Sequence, residues 1–205
     1  RDRLRSRGLG DVYKRQEAIR QKALLPAEKS MHEGIRLLTV GRLTPQKGFD
    51  CAVYALKLLL EKQYPVYWYI IGEGPEYGRL TQLARSLHVE DHFIFLGMQT
   101  NPYPYFKMAD FYIHATRFEG KSIAIQEAQV LGCAIAASDC NGNREQIVSG
   151  VDGLLCPFSP EGIANAVEYL IEHPQTAESF GREAAQKACH FENDIHMIRD
   201  LLYLP

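Results

Sequence analysis

The chain has 205 residues and a formal net charge of −2, and 46% of its residues are hydrophobic while 23% are charged. This composition is sufficient for one sizeable buried core, so it predicts a single domain. Basic residues concentrate only in residues 1–16, which contain six Arg or Lys and two Asp, so the remaining residues sum to −6 and the charge pattern argues against a nucleic-acid-binding surface there.

Cysteines and apolar runs indicate the compartment. The five cysteines are odd in number, widely spaced and never form a Cys-x-x-Cys pair, which argues against both a disulfide framework and a zinc site. The longest apolar runs are about six residues, far short of the roughly 18–20 that cross a bilayer. We therefore expect a soluble cytoplasmic protein.

The N-terminal region divides into two segments before the regular pattern begins. Residues 1–16 have little apolar periodicity and are interpreted as a tag, an adaptor or a disordered arm; the alternative is a basic arm that touches anionic lipid or nucleic acid. Residues 17–34 begin with the helix-like stretch EAIRQKALL. Residues 35–205 form the predicted domain.

From residue 35 onward, short apolar runs alternate with segments of helical period. The predicted strands are Ile35–Val40, Val66–Ile71, His92–Leu96, Phe111–Ala115, Cys133–Ser138 and Gly153–Pro157. The predicted helices are Phe49–Lys62, Glu76–Leu87 and Ser122–Leu131, with a final set between Pro160 and Leu204.

Continuous apolar strands that alternate with amphipathic helices are typical of a parallel sheet covered on both faces. The predicted fold is therefore α/β, a doubly wound, Rossmann-like parallel sheet of about six strands with helices on both faces. Ligands bind such sheets beyond the carboxyl ends of the strands, so we expect the site in the loops after Val40, Ile71, Leu96 and Ala115.

The first of these loops has the residues expected for an anion. Gly41 at the strand end lets the backbone approach a ligand closely, and Arg42 and Lys47 follow it. A cation near a helix start opposes the helix dipole unless an anion is present, which favours binding over the alternative of simple solvated charges. Gly72 and Met98 hold the corresponding positions after the next two strands.

Two glutamates mark the loop after the fourth strand. Gly120 permits a tight turn, Ser122 can cap the following helix, and Lys121 to Ile123 are expected to present free backbone N–H groups to a phosphate. Glu119 precedes this helix start and Glu127 lies about two turns into the helix. Each carboxylate could accept vicinal hydroxyls of a sugar; an exposed helix residue is the alternative for Glu127.

Other residues near these loops have two interpretations. His114 is interpreted as a satisfied core histidine rather than a catalyst. Tyr103 and Tyr105 could stack on a base, although packing is the favoured role. The segment CNGNREQI could meet the sugar, and ordinary loop chemistry explains its Asn and Gly equally well.

Five motifs in order resemble the family 4 retaining glycosyltransferases, enzymes of the two-domain GT-B architecture. The resemblance covers about residues 35–189 and rests on VGRLTPQKGFD, YIIGEGPEYGRL, FLGMQTNPYPYFKMADFYIHAT, RFEGKSIAIQEAQVLGCAIAASDCNGNREQIVSGVDGLLCP and the closing helices. One departure is the Lys121-Ser122 pair, where the family commonly has an apolar or aromatic residue followed by Gly or Pro. Lys121 is either an extra phosphate or acceptor contact or a solvent-facing lysine.

The resemblance implies a role for each candidate residue. Arg42 and Lys47 would bind the donor diphosphate, Glu119 would contact the transferred sugar or stabilise its departure, and Glu127 would hold the nucleotide ribose. The backbone near Gly72 and Met98 would frame the base. Arg42, Lys47 and Glu119 are thus the candidate catalytic residues, and Gly41 and Gly120–Ile123 complete the candidate binding residues.

The implied activity is transfer of a hexose-type sugar from a nucleoside-diphosphate sugar to an acceptor hydroxyl with retention of the anomeric configuration. The expected setting is bacterial surface polysaccharide or glycoconjugate synthesis. No metal or other cofactor is expected. The chain is expected to be the donor half alone and inactive without an N-terminal acceptor domain, and a homodimer and peripheral association of the full enzyme with the inner membrane face are possible. A binding module without catalysis and a sugar-nucleotide epimerase are the alternatives.

Overall fold

The protein is described by a computed structural model over residues 14–202, with side chains described for residues 14–188. Six parallel strands form one sheet in the order β3-β2-β1-β4-β5-β6. The strands are β1 (Ile35–Val40), β2 (Val66–Ile71), β3 (Phe93–Gly97), β4 (Phe111–His114), β5 (Ala134–Ser138) and β6 (Leu154–Cys156). The predicted doubly wound parallel sheet is confirmed, and the first two strands have the predicted bounds.

Helices connect consecutive strands. They are α1 (residues 14–22), α2 (Phe49–Glu61), α3 (Tyr77–Ser86), α4 (Tyr103–Met108), α5 (Ile123–Val130), α6 (Asn141–Arg144), α7 (Pro160–Glu172) and α8 (Pro174–Leu202), with a 3-10 helix at Pro45–Lys47. The short helices α4 and α6 lie in segments whose composition predicts loops. Of the N-terminal arm predicted for residues 1–16, residues 1–13 lie outside the described part of the chain. Residues 14–16 belong to α1.

Alternate residues of each strand pack against helices on opposite faces of the sheet. On one face α2, α3 and α7 cover Leu37, Trp68 and Ile113, and on the other face α1, α4 and α5 cover Leu38 and Tyr112. Helix α8 begins on the first face and reaches the second. Because both faces are buried, apolar residues occupy both faces of the strands, which explains why the sequence has apolar runs rather than strict alternation.

A buried polar contact ties the centre of the sheet together. Trp68 Nε1 on β2 donates a hydrogen bond to Thr39 Oγ1 on β1 at 2.9 Å, and this hydroxyl donates to the carbonyl oxygen of Ile113 on β4 at 2.7 Å. Every hydrogen-bonding atom in this contact has a partner, as burial requires. The contact fixes β1 against β4, the pair of strands where the order reverses.

Across residues 14–202, no helix has both the length and the apolar character needed to cross a membrane.

Candidate functional site

The candidate site lies at the carboxyl ends of β1 and β4, which are adjacent in the sheet although β2 and β3 lie between them in the sequence. Strand order reverses between these two strands, and this topological switch point is where doubly wound sheets bind ligands. The loop after β1 and the loop after β4 meet there. The predicted location of the site in these loops therefore matches the one that the topology indicates.

Hydrogen bonds connect the two loops directly. The carbonyl oxygen of Gln46 accepts from the backbone N–H of Arg117 at 2.9 Å and from Thr116 Oγ1 at 3.0 Å. The Gln46 side chain donates back to the carbonyl oxygen of Phe118 at 3.0 Å. The Arg117 guanidinium adds a bidentate pair with Asp50 at 2.7 and 3.0 Å. These contacts hold the two loops in one register.

That register brings Lys47 and Glu119 into contact. Lys47 Nζ donates a short hydrogen bond to Glu119 Oε2, and both side chains are largely buried. The Lys47 stem lies beside Gly41, where an added Cβ would sit 3.7 Å from Lys47 Cδ. Two residues predicted to bind different parts of one donor therefore form an ion pair.

His114 also contacts Glu119. Its Nε2 lies 3.3 Å from Glu119 Oε2, and its Nδ1 lies 3.2 Å from the hydroxyl oxygen of Tyr112. His114 is 2% exposed, and burial lowers its pKa. The interpretation of His114 as a satisfied core histidine is confirmed, but one of the groups that satisfies it is the candidate catalytic carboxylate.

The charge of Glu119 is stabilised by these neighbours. Donation from His114, together with the hydrogen bond and charge of Lys47, lowers the pKa of Glu119 to about 2 despite partial burial. Both contacts use Oε2. Among residues 14–188, no side chain or backbone group donates a hydrogen bond to Oε1, so this oxygen can accept one from a ligand.

Glu127 on α5 has a similar arrangement. Its Oε1 accepts a hydrogen bond from the Tyr103 hydroxyl at 3.2 Å and lies 3.6 Å from the Arg15 guanidinium. Burial raises the pKa of Glu127. Glu127 Oε2 has no donor within the part of the chain that the structure describes. Glu127 is thus a partly buried residue rather than an exposed helix residue, and Tyr103 orients it.

The start of α5 differs from the prediction at one residue. Ser122 caps the helix, since its Oγ accepts from the backbone N–H of Ile125 at 3.4 Å. However, the N–H of Ser122 donates to Gln146 Oε1 at 2.6 Å, so the expectation that it is free is wrong. Within the described chain, no hydrogen bond occupies the N–H groups of Lys121 and Ile123, which remain available to an anion.

Close backbone contacts explain two glycines at the edge of the site. A Cβ on Gly72 would lie 2.0 Å from the carbonyl oxygen of Gly41, and φ at Gly72 is 144°. A Cβ on Gly142 would lie 2.0 Å from the carbonyl oxygen of Gly120. Gly72 therefore packs the loop after β2 against the loop after β1, and Gly142 packs α6 beneath the turn that contains Glu119.

The remaining predicted residues are open to solvent. Met98 is 68% exposed, an added Cβ on Gly120 would meet open space, and Lys121 is exposed. The Arg42 side chain is exposed and forms no hydrogen bond or ion pair with the described residues. Among residues 14–188, the side chains of Arg42, Met98 and Lys121 form no hydrogen bond or ion pair with Glu119 or Glu127.

Tyr112 and Gln146 support the site through contacts that the sequence does not predict. Tyr112 supports His114, and Gln146 holds the start of α5 through the N–H and, at 2.9 Å, the carbonyl oxygen of Ser122. A signal existed for Tyr112, because it lies two residues before His114 and alternate strand residues share a face. No local signal connects Gln146 to Ser122, which lies 24 positions away.

No group of three or more His, Cys, Asp or Glu side chains suited to a metal ion occurs among the residues that the structure describes.

Comparison with known proteins identifies relatives for most of the chain. Residues 20–187 match the family described as glycosyl transferases group 1. An uncharacterized glycosyltransferase of Haemophilus influenzae is 32% identical over 158 residues, which are 74% of this chain and 44% of that protein. The chain thus spans less than half the length of this relative.

Two further comparisons are informative. The N-acetylgalactosamine-N,N'-diacetylbacillosaminyl-diphospho-undecaprenol 4-alpha-N-acetylgalactosaminyltransferase of Campylobacter jejuni is 28% identical over 81% of this chain and 45% of its own length. The crystal structure of Anabaena HepE in complex with UDP-glucose superposes with a TM-score of 0.72 at 22% identity, over 82% of this chain and 49% of that one. The chain therefore has the fold of one half of a GT-B enzyme.

Proposed function

Because the chain belongs to the glycosyl transferases group 1 family, we propose that it is the donor-binding domain of a family 4 retaining glycosyltransferase. The full enzyme would transfer a hexose-type sugar from a nucleoside-diphosphate sugar to an acceptor hydroxyl. An acceptor domain would come from the N-terminal half of the enzyme. The first candidate donors are UDP-sugars, because HepE of Anabaena has been crystallised with UDP-glucose.

The observation that carries this proposal is the contact between Lys47 and Glu119 at the switch point. Lys47 has three N–H donors, and its bond to Glu119 leaves donors for the diphosphate. Glu119 keeps Oε1 for a hydroxyl of the donor sugar. In the proposed complex the two residues would flank the bond between the sugar and the diphosphate, which is the bond that the reaction breaks.

The leaving group would be stabilised by positive charge and backbone dipoles. Arg42, Lys47 and the N–H groups of Lys121 and Ile123 would bind the diphosphate at the start of α5. When the bond between the anomeric carbon and the diphosphate oxygen breaks, the electron pair leaves with the diphosphate, and the acceptor oxygen bonds to the anomeric carbon and transfers its proton to an oxygen of the departing diphosphate. We propose that these groups neutralise the departing charge without a metal ion.

The nucleoside would occupy the adjacent part of the site. Glu127 Oε2 would accept a ribose hydroxyl while Tyr103 holds the other carboxylate oxygen. The backbone at Gly41 and Gly72 and the exposed Met98 would border the base. Gly120 leaves room for close approach of the donor, and Ser122 contributes through its cap on α5 rather than through its N–H.

The setting of the reaction is proposed from a relative. The Campylobacter jejuni enzyme is named for a diphospho-undecaprenol acceptor, a lipid carrier, which supports a role in bacterial surface polysaccharide or glycoconjugate synthesis. We accordingly propose that the full-length enzyme works in the cytoplasm at the inner face of the membrane.

A ligand panel tests the proposal. Thermal unfolding of the chain is measured with UDP, GDP, ADP and their sugars. One nucleotide series should raise the midpoint temperature, because a ligand at 100 times its Kd stabilises the folded chain by about 2.7 kcal/mol. Product analysis with a broad acceptor set should then detect slow donor hydrolysis at most. Acceptor-dependent glycoside formation would show that the 205 residues are a complete enzyme, and donor conversion without any acceptor would favour an epimerase. Binding of no member of the panel would contradict the proposed function.

A further inference from the structure

We infer that Tyr112 and His114 are positioning residues that orient the Glu119 carboxylate for the donor sugar through a buried chain of hydrogen bonds. The inference rests on the proposed function of Glu119 as the group that contacts this sugar. The inference explains why two polar side chains occupy the core, where apolar side chains would be sufficient for packing. Neither side chain needs to touch the substrate.

The geometry of β4 makes the chain continuous. Tyr112 and His114 are alternate residues of one strand, so both side chains project from the same face of the sheet. Both are buried, with exposed fractions of 0% and 2%. The Tyr112 hydroxyl lies 3.2 Å from His114 Nδ1, and His114 Nε2 lies 3.3 Å from Glu119 Oε2. The polar atoms lead from the core to the site.

The contacts and the burial of the His114 ring together favour one arrangement of protons. The ionised carboxylate of Glu119 can only accept hydrogen bonds, so His114 Nε2 must carry a proton and donate it. Burial lowers the pKa of His114, which favours the neutral ring. The neutral ring leaves a lone pair on Nδ1, and the Tyr112 hydroxyl donates to it. The alternative acceptor for this hydroxyl is the carbonyl oxygen of Val40, which is farther away at 3.5 Å.

Two donors on one oxygen restrict the carboxylate more than one donor does. Lys47 alone has a flexible stem and would let the carboxylate of Glu119 rotate with it. His114 sits on a strand and cannot follow such a rotation. With Oε2 held by both groups, Oε1 has a fixed position, and preorganised groups bind and catalyse better than mobile ones.

Three variants of the chain separate this role from simple packing. His114→Gln retains an N–H donor near the Nε2 position, His114→Met retains bulk without a donor, and Tyr112→Phe removes only the hydroxyl. Tyr69→Phe is the matched control, because Tyr69 is a buried tyrosine of β2 on the same face whose hydroxyl bonds to His32 instead. Circular dichroism identifies any variant that fails to fold.

The first readout is calorimetry with UDP and UDP-glucose, or with the nucleotide pair that the ligand panel selects. His114→Met and Tyr112→Phe should weaken the sugar nucleotide by about 2- to 12-fold relative to the free diphosphate, the usual effect of one hydrogen bond. His114→Gln should restore at least half of this loss, and Tyr69→Phe should change neither ligand. Equal effects of His114→Met on both ligands would overturn the inference.

The second readout needs no ligand. Nitrogen-15 spectra of the wild-type chain at neutral pH should show His114 neutral with its proton on Nε2, and Tyr112→Phe should disturb this tautomer. Carbon-13 titration should show that the pKa of Glu119 rises toward its ordinary value in His114→Met. A proton on Nδ1, or a Glu119 titration that His114→Met leaves unchanged, would refute the positioning role. If no nucleotide binds, these spectra still decide the inference, while the proposed function fails separately.

Discussion

Replacing Lys47 by Ala is expected to weaken nucleoside-diphosphate binding while leaving nucleoside binding unchanged. A hydrogen bond to a charged group contributes about 1.5–3 kcal/mol, which corresponds to a factor of roughly 10–150 in Kd. The structure argues for the upper part of this range. Lys47→Ala removes a hydrogen-bond donor to the diphosphate and also leaves the Glu119 carboxylate without its ammonium partner. The Glu119 carboxylate and the diphosphate, both negative, would then repel each other.

A double-mutant cycle separates the two effects. Glu119→Gln in the Lys47→Ala background removes the unpaired charge, so it should recover part of the diphosphate affinity, with a coupling of about 0.5–3 kcal/mol. Lys57→Ala is a suitable control, since Lys57 pairs with Glu61 on the surface of α2. Calorimetry with UDP and uridine, or their equivalents for another base, measures all four corners of the cycle.

Two results would refute this reasoning. Equal losses for UDP and uridine would remove Lys47 from the phosphate site. Strict additivity of Lys47→Ala and Glu119→Gln would mean that the ion pair seen in the free chain does not influence donor binding. In the second case the contact would be a resting arrangement only.

Three further predictions test other parts of the structure. Glu127→Gln should weaken the ribonucleotide far more than its 2′,3′-dideoxy analogue in calorimetry, and equal losses would make Glu127 structural. Because the folded-state pKa of Glu119 is lowered to about 2, the stability that its ionisation contributes is present above its ordinary pKa near 4.5 and is lost as the pH falls toward 2. Urea unfolding should therefore show the free energies of unfolding of the wild type and Glu119→Gln converging as the pH falls from about 5 to about 2, and a constant difference over this range would contradict the prediction. Lys187→Met should lower the free energy of unfolding by about 1.5–3 kcal/mol, because Lys187 of α8 donates to the buried carboxylate of Asp152 at 2.6 Å. Adding Asp152→Asn should recover part of this loss, and no recovery would contradict the prediction.

The sheet was predictable because its signals are local. Each strand is a mainly apolar run; Gly41 and Gly72 directly follow the first two strands and Gly97 ends the third, so local pattern alone located them. Helix α4 was not predictable in the same way, because Pro102 and Pro104 suggest a turn. Both prolines in fact lie in or before its first turn, where a missing N–H costs nothing.

The site was predictable by residue but not by contact. Sequence motifs selected Lys47, Glu119 and Glu127, yet they gave no indication that Lys47 and Glu119 form an ion pair, because 72 positions separate them and their meeting depends on the order of strands. His114 illustrates the same limit. A buried histidine at a strand end reads as core, and only the three-dimensional arrangement reveals that it donates to Glu119.

The contact between Lys47 and Glu119 links the two halves of the proposed reaction. As the bond to the donor sugar breaks, negative charge accumulates on the diphosphate, and the Lys47 ammonium is expected to be drawn toward it. Glu119 then loses part of its counter-charge at the moment when positive charge develops on the sugar. His114 remains as the donor that holds the carboxylate, and its neutrality is an advantage, because a second cation at this position would oppose the developing charge. In this proposal Lys47 stabilises the charge of the diphosphate, while neutral His114 orients the Glu119 carboxylate without adding a second positive charge beside the sugar.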